Sequence, residues 1–307
     1  MRTLNIAAIS MAISAALVLA QNTAPASGVP VRMIVTVEGH DGKDIPALKP
    51  EDVMVFEGKD RARVTEWILP QGERASLELY VLVDDAVSSS VGLQLSDIRR
   101  FIGNQPPTSA IGIGYLRNGT VEIRQTPTSD HAKAAGALRI PISSIETMAS
   151  PYLSLSDLIK RWPAGSQRRE VLLITSGDDP LGGIGPVNPY VDAAIDDAQR
   201  AGIVVYAIYT PGIGHAGHSY WRASWGQNHL AQLAEETGAE AYEIGFGPPV
   251  SFAPYLDDLA QHLSHQYLLT FLAKPDKKAS FQPIKLRTEV PDVELIAPHR
   301  VYVPAGN

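Results

Sequence analysis

The chain contains no cysteine, which excludes a disulfide framework and any thiol nucleophile. Long basic stretches are also missing, and the formal net charge at pH 7 is −7. An acidic chain of this kind is poorly suited to binding nucleic acid or anionic membrane surfaces. Neither a P-loop Gly-Lys-Ser/Thr sequence nor the GxSxG turn of serine hydrolases occurs. The sequence therefore favours a non-catalytic protein that is stabilised by a packed core.

Long apolar runs are confined to the N-terminus, where Arg2 precedes an apolar stretch over residues 6–20. This pattern, which ends in the small-residue sequence VLA at 18–20, is typical of an export signal. The stretch is shorter than the roughly 20 residues that span a bilayer. We therefore interpret residues 1–20 as a cleaved signal peptide, with an uncleaved anchor as the alternative. We expect no further transmembrane segment and an exported protein, either periplasmic or secreted.

Apolar periodicity divides the rest of the chain into four segments. Residues 21–30 are a polar linker, and residues 31–72 contain short strand-like runs. Over 73–273, strand-like runs alternate with helical periods, which predicts an α/β domain with a doubly wound, mostly parallel sheet. Residues 274–307 again contain strand-like runs interrupted by Pro and Gly. We expect this last segment to pack with residues 31–72 as a small β unit.

Individual elements are predicted from the same periodicity. Asn118-Gly119 is a strong signal for a two-residue hairpin. Residues 210–228 are predicted as a long loop. The predicted strands of the central segment are 77–85, 110–116, 120–125, 170–175, 203–209 and 239–244, and the predicted helices are 96–102, 131–140, 153–162, 191–201, 229–237 and 255–264.

Oxygen-bearing side chains gather at the end of the first strand of the α/β segment. The run LELYVLVDDAVSSSV over residues 77–91 delivers Asp84 and Asp85 to the end of that strand, and Ser88 follows. Carboxylates and hydroxyls are the ligands that Mg²⁺ and Ca²⁺ prefer. A second interpretation is that these residues form the turn after the strand and cap the next helix. We favour the second interpretation, which also accounts for Ala86 in the middle of the sequence.

Several segments, in the same order, resemble von Willebrand factor A-type domains. They are the strand that ends at Asp84, the Asn118-Gly119 hairpin, EVLLITSGDD, DAQRAGIVVYAIYTP and LAQLAEETGAEAYEI. The segments ALKPEDVMVFEGK and PYLDDLAQHLSHQYLLTFLAKP are similar to an exported form of the family in Acidobacteria and related bacteria. The resemblance implies a Rossmann-like sheet and a protein ligand.

The resemblance also implies a metal-ion-dependent adhesion site, at which a carboxylate of the partner completes the coordination of a cation. The motif of this site is Asp-x-Ser-x-Ser, followed by a Thr from a later loop and an Asp after a later strand. Here the match is partial, because Thr147 or Ser150 is only loosely placed as the loop residue. The candidate residues of this degenerate site are Asp84, Asp85, Ser88, Ser150 and Ser176.

Two substitutions weaken the predicted cation site. Ala86 stands at the first Ser position and offers no oxygen, and Ser176 stands where the family has its later Asp. Cation affinity depends on the number of charged ligands. Asp85, Asp178 or Asp179 could restore the charge only from displaced loops. The sequence therefore requires no cofactor, and Mg²⁺ or Ca²⁺ is the cation that the resemblance implies.

A second candidate binding surface lies in the predicted loop after the strand at 203–209. Tyr220, Trp221, Arg222 and Trp225 are of the residue types that anchor protein–protein interfaces. The alternative is a packing role, in which the two Trp cover the top of the sheet.

Together these features suggest an exported, non-catalytic module for adhesion or assembly that binds an unidentified protein ligand. A metal-dependent hydrolase that uses the acidic strand ends is one alternative. A structural subunit of the cell envelope is another.

We expect export to remove residues 1–20. Protein recovered from a bacterial host should therefore start at Gln21 by N-terminal sequencing and intact mass. The variant Ala20→Leu should slow this cleavage, because signal peptidase sites require small residues. A membrane-bound chain that retains Met1 would instead show an uncleaved anchor.

Overall fold

The computed structural model describes residues 28–40, 45–165, 167–214, 218–242, 245, 247 and 250–306. The predicted signal peptide and most of the predicted linker lie outside these residues. None of the helices in the described part of the chain has the length and apolar character needed to cross a membrane.

The described residues form thirteen strands and six α-helices, which alternate mainly between β4 and β10. The strands are β1 (Val29–Gly39), β2 (Val53–Glu57), β3 (Asp60–Ile68), β4 (Leu77–Asp84), β5 (Ser109–Arg117), β6 (Thr120–Thr128), β7 (Arg168–Thr175), β8 (Ile203–Tyr209), β9 (Ala241–Tyr242), β10 (Gln266–Ala273), β11 (Ser280–Thr288), β12 (Val293–Ile296) and β13 (Arg300–Val303). The helices are α1 (Leu95–Gly103), α2 (His131–Gly136), α3 (Pro151–Arg161), α4 (Pro189–Ala201), α5 (Tyr220–Thr237) and α6 (Ala253–Ser264).

A six-stranded sheet in the order β6-β5-β4-β7-β8-β9 forms the centre of the α/β part. All of its neighbouring strands are parallel except β5 and β6. Those two form the predicted hairpin, in which Asn118 and Gly119 both have positive φ angles, 52° and 77°. After β4, the chain first forms β5 and β6 on one side of this strand. It later forms β7, β8 and β9 on the other side. The two directions separate between β4 and β7, which is the topological switch point of a doubly wound sheet.

Helices cover both faces of this sheet, as expected for strands that are apolar throughout. Every residue of β7 and of β8 is buried. On one face, α1 and α6 pack against the sheet through residues such as Ile98 and Leu259. On the other face, α3, α4 and α5 do so through residues such as Leu155, Ile195 and Leu233. The predicted α/β class with a mostly parallel sheet is confirmed.

A seven-stranded antiparallel sheet, in the order β12-β1-β10-β3-β2-β11-β13, joins strands from both ends of the chain. Its core includes Val35, Val55, Trp67 and Phe271. β10, at the end of the predicted segment 73–273, lies between β1 and β3 in this sheet. Residues near the two ends of the chain are therefore held together by backbone hydrogen bonds.

The aromatic segment that was predicted as a loop is helical, so the prediction of a loop over 210–228 is wrong from residue 220 onward. Helix α5 begins at Tyr220, because the hydroxyl of Ser219 caps it by accepting from the amide of Arg222. Ala223 and Leu230 lie on the buried face of the helix. Gly238, in the left-handed conformation with φ of 80°, ends it.

Two glycines let α5 cross the loop after β7 at backbone contact distance. A Cβ atom on Gly226 would lie 2.2 Å from the carbonyl oxygen of Ser176. A Cβ atom on Gly177 would lie 2.4 Å from the carbonyl oxygen of Gly226, and Gly177 also has a φ of 64°. The close crossing brings the first turns of α5 to the carboxyl end of β7.

We expect Gly226→Ala to destabilise the protein although Ala favours helix by about 1 kcal/mol. The new Cβ would collide with backbone atoms, and overpacking of this kind costs about 1–3 kcal/mol. The matched control is Gly103→Ala, because Gly103 ends α1 with open space around the new Cβ. Urea unfolding should show a lower midpoint for Gly226→Ala and no loss for the control. Equal midpoints would contradict the close crossing.

Candidate functional site

Asp84 lies at the switch point, at the carboxyl end of β4 and beside the end of β7. Its side chain is buried, and its Oδ2 accepts a hydrogen bond of 2.6 Å from the hydroxyl of Thr175. Its Oδ1 accepts one of 2.8 Å from the amide of Ala86. Both carboxylate oxygens are therefore engaged by neutral donors of the protein.

The surroundings of Asp84 disfavour its charged form. Burial raises the pKa of Asp84 to about 6, and the nearby charges of Asp85 and Asp178 act in the same direction. The hydrogen bonds from Thr175 and Ala86 oppose this shift and lower the pKa. Asp84 thus changes its protonation state close to the physiological range.

Asp85, the next residue, is neutralised by an arginine from a distant part of the chain. Its two carboxylate oxygens each accept a hydrogen bond of 2.7 Å from the guanidinium of Arg139. The amide of Ile142 donates a third, of 3.0 Å. The Arg139 guanidinium stacks 3.7 Å above the ring of Tyr115, whose hydroxyl donates to the Arg139 carbonyl. Asp85 therefore supplies no free charge for a cation, contrary to the compensation considered from the sequence.

Ser88 acts as a helix cap. Its Oγ accepts from the amide of Ser90 at 3.2 Å and thereby starts the 3₁₀ helix Ser89–Gln94. Its own amide donates to the carbonyl of Pro211 at 3.1 Å. This is the capping role that we favoured over cation binding from the sequence.

Ser150 and Ser176, the other two predicted hydroxyls, form hydrogen bonds with groups other than Asp84. Ser150 caps α3 by accepting from Leu153, and its Oγ donates to Asp179 at 2.8 Å. The Oγ of Ser176 accepts from the amide of Asp178 at 3.3 Å. The structure thus places the predicted residues at one edge of the sheet but directs their hydrogen bonds away from Asp84.

The acidic residues after β7 are also engaged. Asp178 pairs with Arg222 of α5 at 3.0 Å. Asp179 accepts hydrogen bonds from Ser150, from the side chain of Asn188 and from two backbone amides. Neither carboxylate has the freedom to replace the charge that Ser176 lacks.

The donor set at this edge does not fit Mg²⁺ or Ca²⁺, because each needs oxygen ligands from the protein that are free to coordinate, one or two carboxylates for Mg²⁺ and six to eight oxygen atoms in all for Ca²⁺. Ala86 offers no ligand, Asp85 is paired with Arg139, and Thr147 directs its hydroxyl to the carbonyl of Ser144. Asp84 does not belong to a group of three or more His, Asp or Glu side chains close enough to share an ion, within the part of the chain that the structure describes.

The same edge of the sheet carries an unusual number of exposed apolar side chains, which we call the apolar rim. Within the described residues, every large hydrophobic side chain found exposed, apart from Leu69, belongs to the loops and first helical turns at this edge. Tyr220 and Trp221 are 61% and 68% exposed, and their rings contact each other at a centroid distance of 5.9 Å. The rim consists of Leu93, Ile140, Ile142, Ile145, Leu153, Leu181, Ile184, Val187, Tyr220, Trp221 and Val250.

The four residues predicted for partner binding divide into two pairs. Tyr220 and Trp221 belong to the rim. Arg222 is tied to Asp178, and Trp225 is half-buried with its ring 6.0 Å from that of His229. Trp225 therefore has the packing role considered from the sequence. Trp221 does not, because its side chain is exposed.

Sequence reasoning missed two residues that determine this site. Thr175 was considered only as part of a buried strand, and its position one residue before Ser176 was the available signal. Arg139 had no signal, because it lies 54 residues from Asp85 in a segment without a motif.

Asp84 should make the protein less stable as the pH rises from about 4 to about 7. The folded-state pKa of about 6 exceeds the unfolded value of 3.8, so the folded state holds the proton more tightly. This contribution is fully present below pH 3.8 and is lost as the pH rises through 6. At 1.36 kcal/mol per pKa unit, it amounts to roughly 3 kcal/mol.

Urea unfolding of the wild type and of Asp84→Asn across this range measures the effect. The free energy of unfolding of the wild type should fall relative to that of the variant. Asp257→Asn, at an exposed position, is the control. The difference in free energy of unfolding between the wild type and this variant should not change with pH. A pH-independent difference between wild type and Asp84→Asn would contradict the assignment.

Comparisons with known proteins leave the family of the chain open, since no family model and no curated protein matches it. Three similar solved structures are an aerotolerance-related membrane protein from Bacteroides fragilis, the human COPII-coat protein Sec24c and the ArnB paralog VWA2 from Sulfolobus acidocaldarius. Their identities are 15%, 9% and 8%, with TM-scores of 0.44, 0.43 and 0.42. The alignments cover 61%, 75% and 91% of this chain and 98%, 44% and 76% of those chains. Likenesses this distant carry no functional argument.

Proposed function

We propose that the chain is an exported, non-catalytic protein-binding module that engages a protein partner through the apolar rim, without a bound cation. Its membership of the von Willebrand A-type family, in the form that the sequence resembles, is part of this proposal. The observation that carries it is the concentration of exposed apolar side chains at one edge of the central sheet.

Apolar side chains gain free energy when they leave water, so exposed apolar side chains favour contact with another surface that covers them. Large exposed patches on soluble proteins therefore mark interaction sites. Tyr and Trp at such sites supply much of the binding energy. Tyr220 and Trp221, adjacent on the first turn of α5, are the anchors that these rules select.

The location of the rim supports the same role. In open α/β sheets, ligands bind outside the carboxyl ends of the strands at the switch point. The loops after β4, β7, β8 and β9 all contribute to the rim. The partner would thus contact the position at which A-type domains hold their cation, through apolar contacts in place of a metal.

The engaged state of the carboxylates supports a non-catalytic role over the hydrolase alternative. Asp85 and Asp178 are held by Arg139 and Arg222, and Asp179 accepts four hydrogen bonds. Each would have to lose these partners before it could bind a metal or activate a water molecule.

Photo-crosslinking in the native host tests this function. A photoreactive phenylalanine analogue at position 221 or 187 should capture the same partner, because both positions belong to the rim. The same analogue at position 69 is the matched control, since Leu69 is exposed away from the rim. Capture should persist in EDTA.

The captured partner then allows a quantitative measurement. Trp221→Ala should weaken binding of the purified partner at least tenfold, as for an interface anchor worth more than about 1.4 kcal/mol. Leu69→Ala should leave the affinity unchanged. Equal capture at position 69, loss of binding in EDTA, or an unaffected Trp221→Ala variant would each contradict the proposal.

A further inference from the structure

A second cluster of titratable side chains lies where α6 and β9 of the α/β part meet β1 of the antiparallel sheet. Asp258 and His262 occupy the same face of α6, four residues apart. Glu240 immediately precedes β9. The ligand atoms of these three side chains all lie within 4.8 Å of one another.

A fourth carboxylate reaches the cluster from the antiparallel sheet. Glu38, near the end of β1, contacts Nε2 of His262. Oε1 of Glu38 makes this contact and is shielded from solvent, although the side chain as a whole is 30% exposed. The cluster therefore joins β1 of one sheet to α6 and β9 at the other.

His262 supplies a nitrogen ligand aimed into this group of carboxylates. Its side chain is 8% exposed, and Nε2 lies 3.5 Å from Oδ2 of Asp258. The hydroxyl of Tyr242 donates to the same Oδ2 at 2.9 Å, which fixes the orientation of the carboxylate. Hydrogen bonds of this kind from a second layer of residues are a regular feature of metal sites.

The cluster carries more negative charge than its histidine can balance. Glu38, Glu240 and Asp258 surround His262, whose protonated imidazole contributes at most one positive charge. Solvent screens these carboxylates in part, because the side chains of Glu38 and Asp258 are 30% and 44% exposed and Glu240 is exposed. A divalent cation bound among them would balance the remaining negative charge.

We propose that Glu240, Asp258 and His262, with Glu38 as the fourth ligand, bind a divalent first-row transition metal ion such as Zn²⁺. One imidazole nitrogen with carboxylate oxygens is a ligand set that suits Zn²⁺, whereas Mg²⁺ prefers oxygen ligands alone. The ion would hold β1 against α6 and so fasten the two sheets together. This inference is independent of the protein-binding function proposed above.

Titration of the EDTA-treated protein with ZnCl₂ tests the site. Calorimetry should show one ion bound per chain, and the same titration with MgCl₂ should show much weaker binding. Asp258→Asn and Glu240→Gln should each weaken Zn²⁺ binding at least tenfold. The matched control is Asp257→Asn, which removes an exposed carboxylate from the neighbouring position of the same helix and should leave the affinity unchanged.

Thermal unfolding provides the second measurement. Zn²⁺ should raise the Tm of the wild type and of Asp257→Asn but not that of Asp258→Asn. Glu240 is exposed, so Glu240→Gln keeps the test valid if a variant of the buried His262 fails to fold. The proposal is overturned if the wild type binds no Zn²⁺, or if Asp258→Asn and Glu240→Gln bind it as tightly as Asp257→Asn does.

Discussion

The ion pair between Asp85 and Arg139 determines the shape of the carboxyl edge of the central sheet. Asp85 is fully buried, so its charge requires a partner inside the protein. Arg139 supplies it in bidentate form. The amides of Ile142 and Ser143 bond to the side chain and backbone of Asp85, which draws the segment before α3 across the end of β4. This segment carries the rim residues Ile140, Ile142 and Ile145.

The same ion pair explains why this edge differs from a cation site despite its topology. The switch point gathers strand ends, whatever the chemistry of the residues they carry. Here the acidic residues are balanced by arginines, namely Arg139 for Asp85 and Arg222 for Asp178. The positive charge that balances these carboxylates therefore comes from guanidinium groups of the protein and not from a bound metal ion. In the proposed function, the binding energy at this edge comes from the apolar side chains around it.

The sequence was sufficient for the features that depend on local pattern. The strands that end at Asp84 and Thr175, the Asn118-Gly119 hairpin and the alternation of strands with helices follow from apolar runs and turn residues. Features that depend on contacts between residues far apart in the sequence could not be predicted. The glycines before Ser219 suggested a continuing loop, although Ser219 is a good N-cap and α5 starts beside it. The pairing of Arg139 with Asp85 has no local signature at all.

The two clusters of acidic residues differ in how their carboxylates are balanced, and this difference separates their chemistry. At the carboxyl edge, arginines and neutral donors satisfy the acids, so the distinctive property is exposed apolar area. Where α6 and β9 meet β1, Glu38, Glu240 and Asp258 face one buried histidine, and the distinctive property is unbalanced negative charge. Apolar area favours a protein partner, and concentrated negative charge favours a cation. Of the two clusters, the one at the end of β4 is thus the less suitable for holding a metal ion.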